Sequence, residues 1–122
     1  MPNASFRVPV IIASGASLSG PVDLQGATLV GIEMPDTWTA ASITLQAKSD
    51  PASATFFEAQ RVDALNGAAV AIQFNVAQAI YYSIINVRDL SALRYVKVRS
   101  GTSGTPVAQA AERSFYLIAK YI

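Results

Sequence analysis

Ser42-Ile43-Thr44-Leu45-Gln46-Ala47-Lys48 alternates apolar and polar residues without a break. A period of two puts successive side chains on opposite faces of a strand. Ile43, Leu45 and Ala47 are therefore expected toward a core, with Thr44, Gln46 and Lys48 toward water. Asp50-Pro51-Ala52-Ser53 closes the segment as a turn, and a strand is expected to resume over Phe56 to Arg61.

The same pattern recurs on both sides. Phe6, Val8, Val10 and Ile12 share one face of a strand in which Pro9, having no N–H, points to a sheet edge. Ser14 to Gly20 reads as a turn. Thr28 to Met34 sets Val30, Ile32 and Met34 against Leu29, Gly31 and Glu33, and Pro35-Asp36 ends it. Asn66-Gly67 suits a tight hairpin turn, since both residues tolerate positive φ. Ala69 to Phe74 follows, then Ile80 to Ile85. Leu93 to Arg99 alternates again, with Val96 and Val98 inward. Ser114 to Ile122 is apolar on both faces. Val107 to Arg113, after Pro106, is open to either a short helix or a loop. About eight or nine antiparallel strands at spacings of roughly 8–12 residues predict an all-β, jelly-roll-like sandwich. Residues 1–122 are expected to form a single domain.

Composition narrows the function. The chain has 122 residues, no Cys and no His, and only 14% charged residues. These absences exclude a disulfide framework, a thiol nucleophile, an imidazole base and a Ser-His-Asp triad. Nine cations against eight anions give a net charge of +1, so no nucleic-acid partner is expected. Ala64 to Val87 lacks charge but is interrupted by Asn66, Gln73, Asn75, Gln78 and Asn86, so no membrane span is expected. Met1-Pro2-Asn3-Ala4-Ser5 offers no basic start to a signal peptide. No phosphate loop or Asp-x-Asp-x-Asp run occurs, and no cofactor, metal site or catalytic residue is expected.

Two segments resemble the discoidin-like, galactose-binding-like jelly roll. One is Ile43 to Phe56, where Pro51 replaces the family's usual Gly and Phe56 stands for its Trp. The other is Leu93-Arg94-Tyr95-Val96-Lys97-Val98-Arg99. The chain as a whole resembles small Ala/Ser/Gly-rich β-proteins of tailed-bacteriophage virions. The stretches that carry this are Ala13 to Gly20, Gly26 to Pro35, Trp38 to Ser42 and Arg99 to Ser103. The resemblance implies a structural part of the head, neck, tail or fibre, made in the host cytoplasm and located in the virion.

Low charge and strands apolar on both faces imply surface that neighbours must bury. The leading expectation is a non-enzymatic capsid decoration or cement protein. It would bind the major capsid protein as a homo-oligomer, with a trimer near local three-fold axes preferred. The alternative is a carbohydrate-binding adhesion module of a tail or head spike. Its ligand site would use Trp38 in a loop beside Asp36, with Tyr95 as a further ring. A small glycan-active enzyme ranks last, because the eight acids share no motif. Lys97 and Arg99, on the face of Tyr95, are expected simply to solvate the strand. Adjacent Tyr81 and Tyr82 face opposite ways, one toward the core.

Overall fold

The structure, a computed structural model, describes residues 4–122. The signal-peptide reading falls partly on Met1, Pro2 and Asn3, which lie outside the described residues. The described chain is all-β and antiparallel, and it contains no α-helix. Its strands are β1 (Phe6–Ile12), β2 (Val22–Asp23), β3 (Thr28–Glu33), β4 (Ile43–Lys48), β5 (Phe57–Glu58) and β6 (Gln60–Val62). They continue with β7 (Ala69–Ala71), β8 (Gln73–Phe74), β9 (Tyr81–Ser83), β10 (Tyr95–Ser100) and β11 (Arg113–Lys120). A 3-10 turn spans Val87–Leu90.

Two sheets face each other. The first has the order β1-β11-β3-β9 and the second β2-β10-β4-β5, with β8 also on β4. The pairing is nested: first strand with last, second with next to last. Pro9 sits in β1, an edge strand, as the missing N–H requires. Between the sheets lies one apolar core. Val10 and Ile12 meet Leu29, Ile32, Phe115 and Leu117 from the first sheet, with Ile43, Leu45, Val96 and Val98 from the second. Period two thus predicts the inward residues of β1, β4 and β10 correctly.

Two expected strands are each broken in two. Phe56 to Arg61 divides at Ala59, and Ala69 to Phe74 divides at Ile72. Both dividing residues are buried, and Ile72 N–H donates to the Ala59 carbonyl at 3.1 Å. Ala59 N–H in turn donates to the Leu45 carbonyl at 2.9 Å. These bonds root a separate β6–β7 hairpin on β4. Its turn runs through Ala64 to Gly67, and only Gly67, at φ 70°, takes positive φ.

The outer face of β4 departs from expectation. Thr44 does point away from the core, yet it is buried. Its hydroxyl donates to the Gly101 carbonyl at 2.7 Å and accepts from Arg99 Nε at 3.0 Å. Arg99, expected in water, is buried as well, because its guanidinium lies over Thr44 and forks onto Glu58.

Val107 to Glu112 forms no helix; the segment is a loop running into β11 at Arg113. Gln109 explains this. Its side chain is fully buried and committed to Thr39, Ser100 and Arg113, contacts that a surface helix could not supply.

Candidate functional site

The rooted hairpin leaves one end of the sandwich open. On one side stand β6 and β7; on the other stand β9 and the 3-10 turn. Between them is a solvent-open cleft of about 610 Å³. Its floor is core: Ile32, Ile72, Leu90 and the half-buried Phe74, Tyr82 and Ile84. Its polar rim carries Arg61, Gln73, Asn75, Asn86 and Asp89. An adjoining recess of about 530 Å³ shares Arg61, Ile85 and Asp89 and reaches Val62 and Val87.

Large apolar side chains stand in solvent around this end. Leu65 at the hairpin tip is 98% exposed, Ile85 93% and Val62 71%. Among the described residues β6 and β7 pair only with each other, so no further strand extends the hairpin to cover them. The local sequence explains the departure from the core. Ala64 to Gly67 is a turn segment, and β7 is Ala-Val-Ala, too small to fill a sandwich interior. Tyr81 is likewise exposed, while Tyr82 turns inward and its hydroxyl accepts from Ala77 N–H at 2.9 Å, the opposite orientations expected of neighbours on a strand.

The three residues expected to form a sugar site are not brought together. Asp36 is exposed in the loop after β3. Trp38 is buried in the core, its ring edge-on to Phe115 at 5.6 Å. Trp38 Nε1 donates to the Ala41 carbonyl at 3.1 Å, and its backbone N–H donates to Gln78 Oε1 at 3.1 Å. So placed, it has no open ring face for a ligand. Tyr95 lies on the outer face of the second sheet, between Arg94 at 5.0 Å and Lys48 at 5.7 Å.

That outer face pairs its charges, with Asp23 and Arg94 in solvent and Arg99 buried. Asp23 accepts from Arg94 Nε at 2.9 Å, and Glu58 takes both arms of Arg99. The hydrogen bonds from Arg94, then from Gln25 N–H, hold the Asp23 carboxyl below its usual range. Arg99 does the same for Glu58, with Gln46 adding a further bond. Lys48 and Lys97 both sit over the Phe56 ring, at 4.9 and 4.7 Å. Phe56 was expected only as the stand-in for the discoidin-like Trp at the start of a strand, and Glu58 only as one of eight acids sharing no motif. The signal was the alternation Phe56, Glu58 across from Gln46, which their cross-strand register makes legible only once β5 is on β4.

Among the described residues, no group of three or more acidic side chains is placed to hold a metal ion. Among the described residues, no helix is long and apolar enough to cross a membrane. Compared with protein-family models, curated proteins and solved structures, the chain matches none.

Proposed function

We propose that this chain is a non-catalytic structural protein of a tailed-phage virion, a capsid decoration protein that fastens onto the major capsid protein. The observation that carries this reading is the set of apolar side chains left in solvent around the open end, Val62, Leu65 and Ile85 above all. Exposed apolar side chains grouped in this way mark a surface that another protein covers. The nested order β1-β11-β3-β9 over β2-β10-β4-β5 supports a jelly-roll assignment. That architecture recurs in viral capsid and lectin domains, a likeness of fold alone. Between those two uses, the burial of Trp38 against Phe115 favours the structural one.

The mechanism is burial and mass action. A surface that exists only on the assembled shell stabilises the shell by binding it. The test is co-sedimentation with expanded capsids, together with the melting temperature of those capsids. Wild-type chain is expected to bind and to raise that temperature. Val62→Asp with Leu65→Asp, both at exposed positions, is expected to abolish binding while leaving the fold intact. Wild-type protein that fails to bind capsids, or a double variant that binds as well as wild type, refutes the reading.

A further inference from the structure

The two edges of the first sheet are built differently. β1 carries Arg7 and Pro9, the residue types with which proteins block strand addition. β9 carries neither. No charged residue occurs from Ala64 to Val87, so β9 and both its flanks are uncharged. In the second sheet the edges are β2, with Asp23, and, along the far side of β4, β5 with Glu58 and the uncharged two-residue β8.

Hydrogen bonds fix which backbone groups of β9 are in use. Met34 N–H donates to the Ile80 carbonyl at 3.0 Å, and Ile84 N–H donates to the Val30 carbonyl at 2.9 Å. With Tyr82 opposite Ile32, the residues bonded to β3 are Ile80, Tyr82 and Ile84. Alternation then turns the N–H and C=O of Tyr81 and Ser83 away from β3, toward the open side of the sheet. The side chains of Tyr81, Ser83 and Ile85 are all exposed.

We propose that β9 pairs antiparallel with β9 of a second copy of this chain, about a two-fold axis at Ser83. A homotypic contact brings each charge near its own copy, so an uncharged edge is the one suited to it. The register centred on Ser83 brings Tyr81 toward the second copy's Ile85, an exposed β-branched side chain at the bend that follows β9. Small Ser83 side chains meet at the axis. The pairing joins the first sheets of two copies and removes the unprotected edge. An isologous contact closes at two copies, so the assembly unit is a dimer rather than the trimer expected from the sequence. This adds self-association to the capsid binding proposed above and does not depend on it.

Light scattering and sedimentation of the full chain test it. Wild type is expected to be a dimer. Ser83→Pro removes the outward N–H and leaves the Tyr82 and Ile84 bonds to β3 untouched. It is expected to raise the dimer dissociation constant by about a hundredfold, as the loss of one hydrogen bond from each copy implies. Ser83→Lys and Ser83→Glu, which keep the backbone donor, are each expected to be folded monomers. Mixed, they are expected to form a one-to-one heterodimer, because opposite charges then meet at the axis. A monomeric wild type overturns the proposal, as does an oligomer that Ser83→Lys leaves intact or a Lys/Glu mixture that stays monomeric. Capsid binding is read separately through Val62 and Leu65. A dimer that ignores capsids sinks the decoration reading alone, and a monomer that binds them sinks the two-fold contact alone.

Discussion

Gln109 Oε1 accepts a hydrogen bond from Arg113 Nε at 3.0 Å, inside the protein, where Gln109 is fully buried. The same oxygen accepts from Thr39 N–H at 2.9 Å, and Nε2 donates to the Thr39 carbonyl and to Ser100 Oγ. One amide thus ties the loop after β3 to β10 and to the start of β11. Among the described residues Arg113 forms no ion pair, so these neutral acceptors carry its buried charge.

Gln109→Ala is accordingly expected to cost about 2–4 kcal/mol, because it strands several buried polar groups at once. Chemical denaturation measures this. A loss within about 0.5 kcal/mol, typical of surface positions, contradicts the role assigned to the amide.

The Glu58–Arg99 pair predicts a pH dependence. Arg99 holds the Glu58 carboxyl below its usual 4.5. A carboxyl lower in the folded than in the unfolded chain stabilises the fold above the unfolded value. That contribution is lost as pH falls through the folded value. Wild type should therefore outlast Glu58→Gln near neutrality, with the gap closing as pH drops below 4.5. Glu58 is 39% exposed, so solvent screening limits the gap to about 1 kcal/mol. Urea midpoints of both proteins across this range provide the check, and a gap independent of pH contradicts it.

Gly101 and Gly67 separate two costs of adding a methyl group. Both have positive φ, 92° and 70°. A Cβ on Gly67 meets nothing within 4 Å, so Gly67→Ala should cost only about 1–2 kcal/mol. A Cβ on Gly101 falls 2.5 Å from the Thr105 carbonyl oxygen and 2.8 Å from Val107 N. Both obstacles are backbone, so Gly101→Ala should cost more than about 4 kcal/mol. Thermal melts that rank the two variants equally contradict this packing.

Trp38 should behave as a core residue. Trp38→Ala is expected to cost about 3–5 kcal/mol. Trp38→Phe should cost about 1–2 kcal/mol, the effect of leaving the Ala41 carbonyl without its donor. Indole fluorescence should resist acrylamide quenching in the folded wild type. Ready quenching means an exposed ring and restores Trp38 as a ligand-stacking candidate.

Much of the fold was legible in the residues. Alternation placed Val96, Val98, Ile43 and Leu45 inward, and Pro9 placed β1 at an edge. The candidate site was less so. The apolar surplus announced that surface remained to be covered, and the two-sided apolar run Ile80 to Ile85 pointed to Ile85, but nothing local marked Val62 and Leu65 as its members. Asp36, Trp38 and Tyr95 looked like a site because two of them are close in sequence. The fold sends one to solvent, one to the core and one to the far face of a sheet.

The sequence by itself determined which way side chains alternate, because that depends only on the geometry of an extended backbone. Tertiary structure decided what each face meets. Thr44 and Arg99 point outward as their spacing requires, yet both are buried, since Glu58 arrives from a strand 41 residues away from Arg99. Gln109 is an ordinary polar residue until Thr39, 70 positions earlier, is folded beside it. Burial is a property of neighbours, and in an antiparallel sandwich the neighbours that matter come from distant parts of the chain.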